Sequence, residues 1–348
     1  MNYFRKSIQE MSGYVPGEQP PLGTKIIKLN SNENAYPPSP KALNVLREID
    51  GEMLRRYPDP TATSFRLAAS EVLGVPSDWI IAGNGSDDLL NLIVRAVGEP
   101  GKQVVCPAPT YVLYRTLAEI QEADFVEVPY PEDYQLPVDL LIAAQGAVTF
   151  VAAPNSPSGT AISVADLETL AKGLSGLLVI DEAYVDFAEE NALDLTKKYS
   201  NVIVLRTLSK GYSLAGLRLG FGIANPQLLA ELNKVKDSYN VDALAYAVAA
   251  AAIADRDYKT ANAEKIKVSR EKLAVTLKQL GFKVWPSQTN FLLVRPPQGD
   301  AERIYQTLKM QGILIRYFKQ PRLEDKLRIT IGTEEQNQIL VKTLREIL

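Results

Sequence analysis

Short runs of consecutive apolar residues, each closed by a glycine- or proline-marked turn and followed by a stretch with helical spacing, recur through the first two thirds of the chain. Residues 79–97, WIIAGNGSDDLLNLIVRAV, read as a strand, a glycine-rich turn and an amphipathic helix, and residues 103–121 repeat strand into helix. Residues 123–130 and 147–152 read as further strands, followed by LLVI at 177–180 and VIVL at 202–205, with another apolar run after Arg218. Runs that are continuous rather than alternating predict strands buried on both faces, hence a mostly parallel sheet sandwiched by helices, an α/β architecture. Residues 282–348 alternate differently: two short strands, a helix, GILIRYF and KLRITIG as two more strands, and a closing helix, which predicts a small α+β domain. The alanine-rich stretch 243–254 reads as a buried helix, and long helical stretches toward Leu280 carry the chain out of the larger unit. These patterns place a large domain at 41–264 and a small domain at 265–348 together with 1–40, which includes an N-terminal arm. Residues 28–40, KLNSNENAYPPSP, are polar and proline-rich and read as an irregular segment crossing the mouth of a site.

Composition narrows what such a fold does. With 348 residues, 46% of them hydrophobic, the chain has material for one large and one small core. A formal net charge of -3 argues against a protein-wide basic field for nucleic acid. The N-terminal MNYFRKSIQEMSGY has no apolar core of signal-peptide length and no stretch has the apolar length of a bilayer span, so a soluble, cytoplasmic protein without a membrane partner is expected. Cys106 is the sole cysteine, which rules out an intrachain disulfide and fits a reducing compartment. The sequence contains no histidine. That removes Ser-His, Cys-His and histidine-ligated metal chemistry, leaves no metal site to expect, and passes proton transfer to Lys, Tyr, Asp and Glu.

The candidate chemistry centres on residues 201–222, NVIVLRTLSKGYSLAGLRLGFG. An apolar run delivers Ser209 and Lys210 to a glycine-punctuated turn, so Lys210 stands at a strand's end facing a crevice. A lysine amine in a partly desolvated cleft beside another cation condenses with aldehydes to form a Schiff base, and Arg218, eight residues on, is a candidate for that cation. Ser209 and Arg218 also supply a hydroxyl and a planar fork suited to phosphate, and aldehyde capture next to phosphate capture describes pyridoxal phosphate. A solvated lysine after a buried strand fits this stretch equally well taken alone.

Other segments bear on the choice. Asp181 ends the buried run at 177–180, where a carboxylate is expensive unless paired. A protonated pyridine nitrogen would pair it, with Tyr184 donating to the ring's phenolic oxygen. Gly85, Ser86 and Asp87 sit at a helix start, where free N–H groups and the dipole favour an anion, although Ser and Asp also serve there as plain caps. Tyr111 stands at a strand-to-helix junction where its ring could lie on a pyridine. Asn155 falls in the turn PNSPSG, rigid enough to aim an amide at a ligand oxygen. Arg316 and Arg328 lie within apolar strands and should each meet an acid or a ligand anion. Tyr57 in RRYPDP and Tyr14 in GYVPGEQP read from spacing as turn and loop tyrosines.

TLSKGYSLAGLRLGF resembles the lysine segment of the fold-type I aminotransferases that use pyridoxal phosphate, most closely the histidinol-phosphate branch, and the likeness covers nearly the whole chain. GNGSDD resembles that family's phosphate turn. PNSPSG resembles its PNNPTG, keeping the ligating Asn155, and KLNSNENAY resembles its LNxNENP opening with Ala35 where a proline is common. The resemblance implies that Lys210 carries the cofactor covalently, with Asp181 on its ring nitrogen, Tyr184 and Asn155 on its phenolic oxygen and Tyr111 stacked on the ring. Gly85, Ser86, Asp87, Ser209 and Arg218 would hold its phosphate. It further implies that Tyr57 reaches the neighbouring subunit's cofactor in a homodimer with shared sites, and that Tyr14, Arg316 and Arg328 bind substrate. The implied reaction converts histidinol phosphate and 2-oxoglutarate to imidazole-acetol phosphate and glutamate in histidine biosynthesis. An aromatic amino-acid aminotransferase or a threonine-phosphate decarboxylase on the same scaffold would share the cofactor residues.

Overall fold

The computed structural model describes residues 3–13, 17–21 and 23–348. Its strands follow the apolar runs: β1 Ile27–Leu29, β2 Ile80–Gly83, β3 Gln103–Ala108, β4 Asp124–Pro129, β5 Val148–Ala152 and β6 Leu177–Asp181. The series continues with β7 Val202–Thr207, β8 Gly220–Ala224, β9 Lys283–Val284, β10 Phe291–Arg295, β11 Ile313–Tyr317 and β12 Leu327–Thr330. Among the described residues they form two sheets, one in the order β2-β8-β7-β6-β5-β3-β4 and one in the order β1-β11-β12-β10-β9.

The larger sheet is parallel from β4 across to β7, and β8 runs antiparallel to both β7 and β2. Every residue of β2, β5 and β8 is buried, as continuous apolar runs predict for strands covered on both faces. One face packs a core containing Ile93, Val104, Tyr114 and Phe150, and the other a core containing Phe65, Ile180, Val204 and Phe221. The helix Ser86–Val97 lies against the first of these with Leu89, Leu90, Leu92, Ile93 and Val94 buried. Asp87 and Asp88 in its first turn and Arg95 in its last complement its dipole.

The smaller sheet packs a separate core of Phe291, Ile315, Leu327 and Ile329 with Ile266, Ile304 and Leu340 of three helices. Tyr184 and Phe187, which follow β6 of the larger sheet, belong to this core as well.

One expectation needs correction. The segment 28–40 is not irregular throughout: Ile27–Leu29 forms β1, pairing in parallel with β11 at the edge of the smaller sheet, and Pro40 opens the helix Pro40–Val45 with Ser39 as its cap. A three-residue strand has no period to read, and its partner lies far along the chain. Local composition therefore misses it.

Gly220 shows how tightly the larger sheet meets the helix at 86–97. A Cβ there would stand 2.2 Å from the Ser86 nitrogen and 2.5 Å from the Gly85 carbonyl carbon, both backbone atoms with little freedom to yield. Gly220→Ala should lower the unfolding free energy by about 1–3 kcal/mol. Gly216→Ala, whose Cβ would meet nothing within 4 Å, should stay within about 0.5 kcal/mol of the parent. Denaturant titration of both variants measures the contrast, and equal midpoints would refute the close approach as a constraint.

Candidate active site

The carboxyl ends of the parallel strands open into a cleft of about 990 Å³ that also reaches the smaller sheet. Open α/β sheets bind ligands at such an edge, where successive crossovers leave toward opposite sides. Ser86, Asp87, Tyr111, Asp181, Tyr184, Ser209, Lys210 and Arg218 all line it from the larger sheet's side, and Arg316 and Arg328 from the smaller. Segments far apart in sequence are thus brought together.

Lys210 is half-buried three residues beyond β7, with Nζ 3.4 Å from the Ser31 carbonyl oxygen and 5.7 Å from the centre of the Tyr184 ring. Its own carbonyl accepts a hydrogen bond from Asn34 Nδ2 at 2.9 Å. Just before it, Ser209 Oγ accepts from Thr207 Oγ1 at 2.9 Å, which fixes that hydroxyl at the strand's end.

Gly85 caps the helix Ser86–Val97 with φ 82°, and no side chain caps the helix. Ser86 and Asp87 are therefore not spent on capping, and the first-turn N–H groups remain available to an anion. A Cβ on Gly85 would lie 2.6 Å from Arg218 Nη2, so glycine lets the guanidinium close on the helix start. Arg218 pairs with Asp87 at 3.2 Å, and Asp87 also accepts from the Tyr111 hydroxyl at 3.1 Å. The aspartate side chain thus ties the aromatic ring to the arginine.

Asp181 is buried at the end of β6. One carboxylate oxygen accepts from the Tyr114 hydroxyl at 2.9 Å and the other from the Ala183 N–H at 3.1 Å. Tyr184 is also buried; its oxygen accepts from Asn32 Nδ2 at 2.8 Å, and its ring meets Phe291 edge-on at 5.1 Å. In β11 and β12, Arg316 and Arg328 are direct cross-strand partners. Arg328 donates to the Asn30 carbonyl at 3.1 Å and to Ser156 Oγ at 3.3 Å. The Arg316 guanidinium lies 5.3 Å from the centre of the Phe318 ring and forms no ion pair with a carboxylate of the described residues.

Three predicted residues stand apart. Asn155 is wholly buried beside the cleft, its amide engaged by Thr110 Oγ1 at 2.9 Å, Ser158 Oγ at 2.8 Å and the Pro109 carbonyl at 3.3 Å. Tyr57 is 82% exposed and stacks on Tyr239 at 4.7 Å, outside its own chain's cleft. Tyr14 lies outside the described residues.

Sequence reasoning missed Tyr114, Asn32 and Asn34. Tyr114 lies three residues after Tyr111, a helical spacing that puts both on one side, but in an apolar stretch it reads as core. The two asparagines sit in a segment whose polarity signals only a loop.

The family described as aminotransferase class I and II matches residues 24–344. The histidinol-phosphate aminotransferase 1 of Trichormus variabilis is 65% identical over 347 residues, spanning 100% of this chain and 99% of that one. The chain belongs to the class I and II aminotransferases. The histidinol-phosphate aminotransferase of Citrifermentans bemidjiense is 47% identical over 99% of this chain and 98% of its own length. Among solved structures, histidinol-phosphate aminotransferase from Sinorhizobium meliloti, in complex with pyridoxal-5'-phosphate, is similar with a TM-score of 0.90 and 28% identity, covering 100% of this chain and 99% of that chain. The L-threonine-O-3-phosphate decarboxylase of Porphyromonas gingivalis shares the fold with a TM-score of 0.82 at 23% identity, over 92% and 99% of the two chains.

In this aminotransferase, burial pushes the Asp181 carboxyl up to about 6, against the opposing pull of the Tyr114 and Ala183 hydrogen bonds and with smaller additions from Asp87 and Glu182. Burial and the neighbouring carboxylate hold the Tyr114 hydroxyl protonated, so it remains a donor. A carboxyl that titrates at about 6 folded and 3.8 unfolded binds more protons in the folded chain between those values. Its contribution to stability is present in full below the unfolded value and is lost as pH rises through the folded one. For the protein without a ligand, Asp181→Asn should therefore gain stability relative to the parent by on the order of 1 kcal/mol between about pH 5 and pH 7.5. Unfolding curves across that range test the sign, and a flat or falling difference contradicts it.

Proposed function

We propose that this chain is a pyridoxal-phosphate-dependent aminotransferase that moves the amino group of L-histidinol phosphate to 2-oxoglutarate, giving imidazole-acetol phosphate and L-glutamate in histidine biosynthesis. The observation that carries the substrate reading is the register of β11 and β12, which sets Arg316 directly opposite Arg328 at the cleft. Like charges directly opposite one another are unfavourable, so the pair calls for an anion between or beside them. A donor bearing a phosphate and an acceptor bearing a carboxylate both meet that requirement. The 65%-identical relative spanning the full chain supports the same choice.

The residues present fit the cofactor. Ser86, Ser209, Arg218 and the free N–H groups after Gly85 would take its phosphate, Tyr111 would offer a flat aromatic face, and buried Asp181 would gain the cation it lacks by facing a protonated ring nitrogen. Bound there, pyridoxal phosphate supplies an aldehyde for the amino group and a ring that accepts electrons. Lys210 Nζ is the attachment point and, when free, the base that takes the proton from substrate carbon and returns it. Tyr184, with Asn155 behind it, would stabilise negative charge on the phenolic oxygen. Arg316 and Arg328, joined by Tyr14, orient the donor by its phosphate and the acceptor by its carboxylate.

The same reading makes the molecule a homodimer, with Tyr57 serving the cofactor phosphate of the other subunit. Its support is a tyrosine 82% exposed and directed at nothing in its own cleft, next to exposed Leu54 and Tyr239. A cytoplasmic setting and a division into 41–264 against 1–40 with 265–348 belong to the reading as well.

The test is a donor panel of histidinol phosphate, phenylalanine and threonine phosphate with 2-oxoglutarate. Histidinol phosphate should be turned over fastest, and carbon dioxide release from threonine phosphate would instead mark a decarboxylase. Lys210→Ala should abolish turnover. Arg328→Ala should lower kcat/KM for the phosphate-bearing donor by about 10- to 100-fold, as expected for a charged hydrogen bond, with a smaller loss for phenylalanine. Equal losses for both donors would remove the phosphate-specific role, since phenylalanine offers only its carboxylate.

A further inference from the structure

Asn32 is left out of every role above, yet it is 2% exposed and holds φ at 55°, a left-handed conformation a non-glycine residue rarely keeps without a compensating gain. Its hydrogen bonds fix the direction of a proton on a neighbouring residue. The Asn32 N–H donates to Thr330 Oγ1 at 3.0 Å, so the Thr330 hydroxyl is already an acceptor there and turns its own proton onto Asn32 Oδ1 at 3.1 Å. With Oδ1 committed to Thr330, the other end of the amide is the NH2, and it donates to the Tyr184 oxygen at 2.8 Å. The Asn290 side chain pins the Asn32 carbonyl from the remaining side at 3.0 Å. Tyr184 therefore receives a hydrogen bond from the protein and keeps its own proton, for which the described residues supply no acceptor, while its side chain lines the cleft.

We propose that Asn32 is a positioning residue that locks Tyr184 as a hydrogen-bond donor toward the ligand. An acceptor at position 32 would draw the phenol proton inward and present a lone pair to the cleft; the amide orientation set by Thr330 forbids it. A donated bond favours negative charge on the atom that receives it, and the protein holds that polarity in place before any ligand arrives. This inference rests on the reading of the cleft as a pyridoxal phosphate site, where the atom receiving the bond is the phenolic oxygen.

The experiment follows the pH titration of the visible absorption band of protein saturated with pyridoxal 5'-phosphate. Weakening donation to the phenolic oxygen makes its anionic form harder to hold and moves the midpoint upward. Tyr184→Phe should raise it by about one unit, the order expected for loss of a charge-assisted bond. Asn32→Gly, which removes the amide while keeping the left-handed backbone free of strain, should raise it by about half a unit in the parent. In the Tyr184→Phe background Asn32→Gly should change nothing, because it acts through that hydroxyl. If Asn32→Gly does not fold, Thr330→Val frees the amide to rotate and should give a smaller upward shift that likewise vanishes in the Tyr184→Phe background. An equal shift with and without the Tyr184 hydroxyl, or no shift in either, overturns the proposal. Failure of the parent to develop a visible band with pyridoxal 5'-phosphate would instead sink the cofactor reading itself.

Discussion

Asp181 holds a carboxylate almost wholly buried at the cleft's edge, and such a charge costs several kcal/mol unless donors and a cation meet it. The fold supplies the donors, Tyr114 and the Ala183 N–H, and stops there. Both bonds lower the carboxyl's affinity for a proton, but burial outweighs them and leaves it near 6. Position explains why this residue bears the cost: β6 lies between β5 and β7 in the parallel region, so its carboxyl end opens between the turns that carry Asn155 and Lys210.

The smaller sheet lines the other side of the cleft. Arg316 and Arg328 arrive opposite one another on β11 and β12, and several side chains tie that sheet to the larger one around the cleft. Arg328 reaches Ser156 after β5, Asn32 reaches Tyr184 after β6, and Arg322 donates to the carbonyls of Ala108, at the end of β3, and of Tyr130. Tyr184 belongs to the smaller sheet's core although the larger sheet delivers it. These bonds join the two sides of the cleft.

What the sequence discloses follows from how local each signal is. Continuous apolar runs announce the buried strands, and turns after them locate Lys210, Asp181 and Ser86, because a parallel sheet must put its ligand groups at strand ends. Signals that need a distant partner stay silent. The three residues of β1 become a strand only against β11, Tyr114 meets Asp181 only through the placement of β6, and the Asn32 amide meets Thr330 almost three hundred residues on. Asn155 is legible as a rigid amide, but not the extent to which Thr110 and Ser158 already occupy it. Tyr57 stacks on Tyr239 and does not line its own chain's cleft, a placement that its setting in RRYPDP does not announce.

A chain without histidine must govern protons by other means, and the site's construction follows from that lack. The groups that orient the buried acid and the cleft phenol, Tyr114 toward Asp181 and Asn32 toward Tyr184, are a phenol held protonated by burial and an amide that never titrates. Neither reverses direction as pH moves through neutrality, which an imidazole in either place would do. Polarity is therefore built into hydrogen-bond direction at both positions.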